Sequence, residues 1–416
     1  QTLALTASFK KVGPILIIGP TNVVHNWKQE ISKFLKKKTV SLFIGTHREK
    51  LLKKLGTSDF IITSFGILKN DIEVFKAIPY HMIIVDEAQF IKNPKTQIST
   101  CIKQLQASFK LALTGTPIEN DIQDLWNLFD FCMPGYLGNK KEFDTLIRQQ
   151  SLDLLKARIR PFVLRREKRE VLASLPEKTE IVLKCPLTDS QQSLYQTVLR
   201  AAKQGIKSGS GKQERLNVLT ALLKLRQVCI HPGLLKEFKN DSQLESAKFD
   251  IVKSKITELM AEHHKVVIFT QFTGMLDFME DWIKEKSFYY ERIDGSKTAK
   301  KRAESIQRFQ EGHQPGVFLI SLKAGGVGIN LTAADYVIHM DLWWNPAVEA
   351  QATDRVHRMG QKNKVIVYKL ICEGTIEEKI QTLQEEKKAL VSQIIDIDQV
   401  SEKKIDIGEI KDLILS

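Results

Sequence analysis

The chain of 416 residues has a net charge of +13, and 43% of its residues are hydrophobic. This length suits two or three domains with real cores, at about 150 residues for each domain. No apolar run approaches the roughly 18 residues of a membrane-spanning helix, so we predict no membrane partner. The five cysteines are scattered and form no C-x-x-C pair, which favours reduced thiols in an intracellular compartment over disulfides or a metal site. The basic charge fits a polyanionic partner as well as a lysine-rich solvated surface.

The first part of the chain alternates short apolar strands with helical stretches. The predicted strands are Ile15–Ile18, Phe60–Ile62, Met82–Val85 and Lys110–Leu113. Unbroken apolar strands separated by helices indicate a parallel sheet that is covered on both faces. Hydroxyl or carboxylate side chains follow each strand, and the carboxyl ends of parallel strands meet at one edge. For any single threonine at such a position, a helix cap is an equally good interpretation.

Two adjacent carboxylates, Asp86 and Glu87, follow the third of these strands. Nucleotide hydrolysis needs a carboxylate that holds Mg²⁺ and a group that orients or deprotonates the attacking water. We expect Asp86 in the first role and Glu87 in the second, with both carboxylates at the metal. Thr114 and Thr116 follow the next strand, where their hydroxyls could sense the nucleotide. A turn with a helix cap is the competing interpretation for these two threonines.

The strand pattern stops near Leu155 and resumes after about Ser246, with charged, mostly helical sequence between these points. It resumes with strands at Val266–Phe269, Val317–Ile320, Val337–Met340 and Val365–Leu370. Hydroxyl and polar residues again follow the strands, at Thr270, Gln271 and Ser321. We therefore predict an α/β protein with two parallel-sheet lobes, at 1–155 and 247–390. A helical region at 156–246 joins the lobes, and a helical tail occupies 391–416.

A glycine-rich turn and a helix follow the strand at Val317–Ile320. Asn345 as N-cap, Pro346 at the first position and Gly360 as the left-handed stop predict the bounds of this helix. Gln351, Arg355 and Arg358 would then share one helix face. Arginines near a glycine turn that lets backbone approach a phosphate indicate nucleotide chemistry done by two halves of one chain. Closure of the lobes would bring these cations onto the phosphoryl oxygens.

Eight sequence blocks, spread over nearly the whole chain, stand in an order that points to one family. They are ILIIGPTNVVHNW, DFIITSF, IIVDEAQ, ALTGTPIEN, IRPFVLRREKREVLASLPEK, LLKLRQVCIHP, KVVIFTQFTGMLD and SLKAGGVGINLTAADYVIHMDLWWNPAVEAQATDRVHRMGQ. This set resembles the Swi/Snf-type ATPases, the DNA-translocase branch of the superfamily-two helicases. The resemblance implies two RecA-like lobes, ATP and Mg²⁺ as cofactors, and double-stranded DNA as partner. It also implies a monomer that remodels or displaces DNA-bound proteins.

The resemblance also implies roles for individual residues. Asp86 and Glu87 match the metal and water residues, and Arg355 and Arg358 match the arginine fingers, with Gln351 in the same motif. The remaining matches at the nucleotide are Gln89, Thr114, Thr116, Gly326 and Gly328. Contacts to the phosphates of the tracked strand are expected from Thr21, Thr63, Thr270, Gln271, Ser321 and, more weakly, Lys323. Gln89 departs from the His that many relatives carry, and Gln cannot titrate.

The phosphate loop of this family, G-x-x-x-x-G-K-[ST], occurs nowhere in the chain. The backbone N–H groups of that loop cradle the phosphates, and its Lys and hydroxyl reach the outer phosphates and Mg²⁺. The chain starts at Gln1 without Met, and its first residues resemble those that follow the loop in relatives. We therefore expect a fragment of a working ATPase that hydrolyses ATP poorly by itself.

Two other functions remain open. A non-catalytic DNA-binding scaffold fits the missing loop and the basic charge, but it does not need Asp86, Glu87, Arg355 and Arg358 together. An RNA helicase of the same superfamily has the same lobe architecture, and the response to duplex DNA or RNA separates the two. We expect the protein in the nucleoid-associated cytoplasm if its source is bacterial, and in the nucleus if its source is eukaryotic.

Overall fold

The computed structural model describes residues 1–9, 13–45, 48–115, 122–148, 152–164, 166, 175–208, 210–238, 244–325, 329–343, 346–395 and 407–415. These residues form two compact units, the first within residues 1–164 and the second from residue 166 onward. Each unit contains one all-parallel sheet with helices, which confirms the predicted α/β class with two parallel-sheet lobes. Within the described residues, no helix is long and apolar enough to cross a membrane.

The first unit contains a five-stranded parallel sheet in the part that the structure describes, with the order β2-β3-β1-β4-β5. Its strands are β1 (Ile15–Gly19), β2 (Val40–Leu42), β3 (Phe60–Ser64), β4 (Tyr80–Asp86) and β5 (Ala107–Leu113). Its helices are α1 (Thr2–Ser8), α2 (Thr21–Phe34), α3 (Leu52–Leu55), α4 (Phe65–Asn70), α5 (Ile72–Lys76), α6 (Gln97–Lys103), α7 (Ile122–Cys132), α8 (Lys140–Arg148) and α9 (Leu152–Ile159). Short 3₁₀ helices lie at Arg48–Leu51, Ala88–Ile91 and Arg160–Phe162.

The central strand of this sheet explains why its sequence is apolar without a break. Leu16 and Ile18 pack into the hydrophobic cluster on one face of the sheet. Ile15 and Ile17 pack into a separate cluster on the other face. Because successive side chains of a strand point to opposite faces, a strand covered on both sides must be apolar at every position.

The second unit contains a six-stranded parallel sheet among its described residues, with the order β6-β11-β10-β7-β9-β8. Its strands are β6 (Lys178–Cys185), β7 (Lys265–Thr270), β8 (Tyr290–Ile293), β9 (Gly316–Ser321), β10 (Tyr336–His339) and β11 (Val365–Cys372). Its helices are α10 (Asp189–Lys207), α11 (Gly211–Ile230), α12 (Ala247–Ala261), α13 (Thr273–Glu285), α14 (Ala299–Glu311), α15 (Leu322–Gly325), α16 (Pro346–Thr353), α17 (Ile376–Ile395) and α18 (Ile407–Leu415). Short 3₁₀ helices lie at Pro232–Leu234 and Lys236–Phe238.

Strand β6 corrects the prediction that residues 156–246 carry little strand structure. It pairs in parallel with β11 along its whole length, from Lys178 opposite Val365 to Cys185 opposite Cys372. β6 lies at the edge of the sheet and has one neighbour. Its charged residues stay partly or fully exposed while Cys185 is buried. An edge strand therefore lacks the continuous apolar run by which the central strands were recognised.

Helix α18, in the C-terminal tail, packs onto the helices of the second unit. Ile414 is buried in the hydrophobic cluster that also contains residues of α10 and α11. Lys203 Nζ donates to the Leu415 carbonyl at 2.9 Å, and Lys379 Nζ donates to the Leu413 carbonyl at 2.8 Å. These two lysines satisfy carbonyl groups that the end of a helix leaves without intrahelical partners.

Candidate functional site

Asp86 is the last residue of β4, at the carboxyl edge of the first sheet, and its side chain is partly exposed. Trp27 Nε1 donates to Asp86 Oδ2 at 2.8 Å, and the Glu87 backbone N–H donates to Asp86 Oδ1 at 2.9 Å. Trp27 belongs to α2, so a residue of the covering helix and the adjacent backbone both hold this carboxylate. Two donors on opposite oxygens fix the plane of the carboxylate at the sheet edge.

Glu87 adopts an unusual backbone conformation immediately after Asp86. Its φ of 52° and ψ of 53° lie in the left-handed region, which non-glycine residues rarely adopt. Such a conformation costs on the order of 1 kcal/mol, and residues of this kind are concentrated at functional sites. The chain turns sharply here from β4 into the 3₁₀ helix at Ala88–Ile91.

A chain of hydrogen bonds joins Glu87 to the end of the neighbouring strand. Gln89 Nε2 donates to Glu87 Oε2 at 2.6 Å, and Thr114 Oγ1 donates to Gln89 Oε1 at 3.1 Å. Thr114 follows β5, which pairs with β4 up to Asp86 opposite Leu113. The structure thus brings Asp86, Glu87 and Thr114 together, as predicted from their positions after the strands, and Gln89 joins them through these two hydrogen bonds. Thr116 lies outside the described residues.

Oxygen atoms are the donors that Mg²⁺ prefers, and the Asp86, Glu87 and Thr114 side chains present oxygen donors. Mg²⁺ commonly takes only one or two protein carboxylates and keeps several waters, so the pair fits this ion.

A second group of potential metal ligands lies in the core of the second unit. Among the described residues, the ligand atoms of Cys229, Cys372 and Glu377 lie within 4.8 Å of one another. The buried ammonium of Lys248 already contacts Glu377 at 2.7 Å and donates to the Met340 carbonyl at 2.9 Å. Glu377 is therefore already paired with a lysine, which favours structural cysteines over a metal site at this position.

The first unit contains two of the threonines predicted to contact DNA phosphates, and they differ in exposure. Thr21, the first residue of α2, is exposed. Thr63 is fully buried, and its Oγ1 donates to the Phe43 carbonyl at 3.0 Å. A hydroxyl has one proton to donate, so Thr63 would have to release Phe43 before it could donate to a phosphate. The predicted contact for Thr63 stays a prediction, and Thr21 is the residue of this pair that solvent reaches.

The corresponding residues of the second sheet are also turned inward. Ser321 is 4% exposed, and its Oγ accepts the Ala324 backbone N–H at 3.3 Å. Thr270 is fully buried, and its Oγ1 donates to Asp341 Oδ1 at 2.7 Å. For Lys323 the structure describes the backbone, in α15, but not the side chain.

Asp341, just beyond β10, is the centre of a buried polar cluster that the sequence analysis missed. Besides Thr270, the Gln271 backbone N–H donates to Oδ1 at 3.1 Å, and Gln271 Nε2 donates to Oδ2 at 2.5 Å. Arg226 of α11 approaches Oδ2 at 3.3 Å and also donates to Gln271 Oε1 and to the Leu342 carbonyl. Burial raises the pKa of Asp341, while the Arg226 charge and the Thr270 hydroxyl oppose that rise. The position of Asp341 after a strand was the available signal, since the other polar residues singled out share it.

The predicted helix over residues 346–360 is too long. Helix α16 ends at Thr353, and Arg355 lies in the turns that follow. The Arg355 N–H donates three residues back, to Ala352, and its carbonyl accepts the Leu331 N–H at 2.9 Å. The Arg355 carbonyl therefore bonds to a neighbouring segment, in the turns that replace the helix after Thr353.

This early end separates the three residues that were expected on one helix face. Gln351 lies in α16, whereas Arg355 and Arg358 follow it in turns. Arg358 Nη1 donates to the Ile329 carbonyl at 3.5 Å. Gly360 has the predicted positive φ, at 102°, but it ends the turns rather than the helix. Gly326, Gly328 and Asn345 lie outside the described residues, and the roles of the arginines stay predictions.

Comparison with known proteins gives matches along most of the chain. Residues 2–234 match the sequence model of the SNF2-related domain, and residues 247–360 match that of the helicase conserved C-terminal domain. An uncharacterized ATP-dependent helicase of Mycoplasma pneumoniae is 42% identical over 388 residues, covering 92% of this chain and 37% of the relative. The putative ATP-dependent helicase/translocase YwqA of Bacillus subtilis is 38% identical over 410 residues, covering 94% of this chain and 44% of the relative. The chain thus spans less than half the length of these curated relatives.

A solved structure also resembles the chain. It is the Sulfolobus solfataricus SWI2/SNF2 ATPase core in complex with dsDNA, at 38% sequence identity and a TM-score of 0.47. The alignment covers 95% of this chain and 85% of that one.

Proposed function

Because the chain belongs to the SNF2-related family, we propose that it is the motor core of an ATP-driven translocase on double-stranded DNA. We further propose that its movement remodels or displaces proteins bound to the DNA. The observation that carries the proposal is the partly exposed Asp86–Glu87 pair, which Gln89 and Thr114 tie to the next strand end. The names of the two bacterial relatives, both ATP-dependent helicases, support the same activity.

In this mechanism ATP is the substrate, and Asp86 would hold the accompanying Mg²⁺, directly or through water. The ion neutralises charge on the phosphates when it is bound. Asp86 can position it reproducibly because Trp27 and the Glu87 N–H hold its two oxygens. Preorganised charge of this kind needs no rearrangement at the moment of reaction.

Glu87 orients the attacking water and accepts its proton. Its position is set by Gln89, which is itself held by Thr114 at the end of the neighbouring strand. A displacement of the Thr114 segment would therefore move Glu87 through this hydrogen-bonded chain. Gln89 remains neutral at all pH values, so this amide contributes no titrating group to the connection.

The 416 residues lack the phosphate-loop sequence of the family. They contain no G-x-x-x-x-G-K-[ST] sequence, whose backbone and lysine would hold the phosphates. We propose that these residues alone bind duplex DNA but hydrolyse ATP slowly. Fast DNA-dependent hydrolysis by the 416 residues alone would refute this point and leave the translocase proposal standing.

Displacement of a third DNA strand from a duplex distinguishes a translocase from a scaffold. The natural polypeptide that contains these residues is mixed with a labelled triplex, and release of the third strand is followed with and without ATP. A translocase releases the strand only with hydrolysable ATP, and Glu87→Gln should abolish the release. A non-catalytic scaffold, favoured by the missing loop and the charge of +13, would bind the triplex and release nothing. Release from RNA duplexes in preference to DNA would favour the RNA helicase.

A further inference from the structure

The outer face of α2 carries a continuous row of polar and basic side chains. Thr21, His25, Lys28 and Ser32 are all exposed, and their spacing places them along one side of the helix. Glu30 is the one acidic residue of α2, and it lies about 140° around the helix from His25 at 100° per residue. The row therefore presents hydroxyl, imidazole and ammonium groups without an intervening carboxylate.

This row runs beside the first sheet, from the carboxyl ends of its strands toward their amino ends. Helix α2 follows β1, so Thr21 lies at the carboxyl edge, where the candidate site is. The helix has 14 residues, which corresponds to a length of about 21 Å. Three exposed lysines, Lys33, Lys36 and Lys37, stand at its far end.

Asp59 and a backbone hydrogen bond fix the turn that follows α2. Asp59 accepts the Thr39 N–H at 2.9 Å, the Thr39 hydroxyl at 2.8 Å and the Lys38 ammonium at 2.9 Å. Burial raises the pKa of Asp59, but the Lys38 and Thr39 hydrogen bonds outweigh it and lower that pKa to about 2. The Lys38 N–H closes the turn by donating to the Leu35 carbonyl at 2.9 Å. Asp59 is thus engaged with Lys38 and Thr39, and the turn holds Lys36 and Lys37 in place.

The other lysines of this face have no carboxylate within ion-pair distance among the described residues. This holds for Lys28, Lys33, Lys36 and Lys37, whereas elsewhere in the unit Lys76 and Lys103 are paired. Phe34 lies between these lysines with 61% of its surface exposed, and Lys33 Nζ is 5.1 Å from its ring centroid. Unpaired ammonium groups along a helix and the turn after it suit an anionic partner that extends along the helix.

We propose that this face, the α2 track (His25, Lys28, Ser32, Lys33, Lys36 and Lys37), binds the phosphate backbone of duplex DNA. It continues the path of the DNA from Thr21 across the first unit. A length of about 21 Å corresponds to about six base pairs at 3.4 Å each. This inference rests on the proposed function, because that function makes duplex DNA the partner. An acidic protein fits less well, since the centre of a stable protein interface is apolar, whereas the track residues are polar or basic with the exposed Phe34 beside them.

The test is duplex binding by the 416-residue chain in the absence of ATP. In the test variant Lys28, Lys36 and Lys37 are all replaced by Gln. The dependence of the association constant on salt should become shallower by about 2 to 3, at about 0.9 for each phosphate contact. Affinity for a duplex of about 30 base pairs at about 0.1 M salt should fall at least about tenfold.

A matched variant removes the same charge from the same unit. Lys69, Lys140 and Lys141 are exposed and lie outside the α2 track, and replacing all three by Gln should leave affinity within about twofold. If both triple variants lose affinity and salt dependence equally, the effect is one of net charge and the proposed surface is wrong.

A series of duplexes of increasing length supplies the second readout. The affinity of the parent chain should keep rising to a duplex about six base pairs longer than the Lys28, Lys36 and Lys37 variant requires. Equal length dependence in the two proteins would overturn the proposal. So would a variant that loses binding to polyglutamate and keeps its binding to duplex DNA. Failure of the parent chain to bind any duplex would refute the proposal that these residues alone bind duplex DNA, and this inference with it.

Discussion

The carboxyl edges of the two sheets carry carboxylates in similar sequence positions and very different surroundings. Asp86 and Glu87 follow β4 and remain partly exposed. Asp341 follows β10, is fully buried, and is held by Thr270, Gln271 and Arg226. Both arrangements follow from the same rule, that polar residues gather where parallel strands end. The first arrangement leaves carboxylates in reach of solvent, whereas the second joins three segments of the second unit.

The difference shows that a polar residue after a strand does not by itself identify a chemical site. Thr63, Thr270 and Ser321 satisfied the sequence criterion, yet each is buried and bonded within its own unit. At the carboxyl edge of the first sheet, the carboxylates are partly exposed to solvent and Glu87 holds a left-handed backbone conformation. The other described non-glycine residues with positive φ, His263 and Ser287, do not follow a strand of the second sheet. The following changes should separate the two edges experimentally.

The largest expected effect is on the rate of ATP hydrolysis, in the Glu87→Gln variant of the natural polypeptide that contains these residues. Loss of the group that accepts the proton should lower ATP hydrolysis by at least about 100-fold. The amide keeps the size of the side chain, so duplex binding and unfolding by urea should stay close to those of the parent. Measurement of all three in one preparation checks the assignment, and normal turnover would remove Glu87 from the mechanism.

Substitution of Asp341 should instead lower the stability of the second unit. Arg226→Met or Asp341→Leu leaves an uncompensated charge in a buried cluster, and each should destabilise the second unit by about 3–5 kcal/mol. The double variant should recover much of this loss, because no buried charge is left without its partner. Urea unfolding of the four proteins completes the cycle. Additive losses in the double variant would show that the two residues do not act as a pair.

The second unit should lose stability in mildly acidic solution. Burial lowers the pKa of His231 to about 4 and that of His339 to about 3, so both are neutral in the native state. The unfolded chain binds these protons near pH 6.5, so stability falls as pH drops from about 6.5 toward 4. For His231 the loss amounts to about 3 kcal/mol by pH 4.

Hydrogen exchange, corrected for the intrinsic effect of pH, can measure the pH dependence of stability separately in the two units. In the first unit Asp59 has a lowered pKa, so its contribution is present above about pH 4 and is lost only at lower pH. His231→Asn keeps an acceptor for the Gly233 N–H and cannot titrate, so it should reduce the pH dependence. Equal protection of the second unit at pH 7 and pH 5 would contradict this account.

The smallest expected effect concerns the strained backbone at Glu87. Glycine adopts a positive φ without a steric penalty, so Glu87→Gly should raise the free energy of unfolding by up to about 1 kcal/mol. The same variant should lose turnover as Glu87→Gln does. A stabilised but inactive protein would show strain kept for function, whereas destabilisation would mean that the Glu87 side chain is also needed for the fold.

The sequence predicted the central strands well because burial on both faces leaves no choice but apolar residues. It missed β6 at a sheet edge, where one side is free to be charged. It placed Asp86, Glu87 and Thr114 together because parallel neighbours bring their ends to one edge, whereas Gln89 was implied only by the family resemblance. The local pattern could not show that α16 ends at Thr353, nor that the Arg355 carbonyl accepts the N–H of Leu331 from a distant segment. The sequence analysis also missed Arg226, because its partner Asp341 lies 115 residues away in the chain.

ATP hydrolysis by the natural polypeptide containing these residues, with and without duplex DNA, tests the central claim most directly. We expect duplex DNA to raise the rate at least about tenfold, with single strands and RNA giving little stimulation. Glu87→Gln in the same assay should remain at background with duplex DNA present. Salt-sensitive duplex binding without any hydrolysis would contradict the proposed motor function and favour a non-catalytic DNA-binding scaffold.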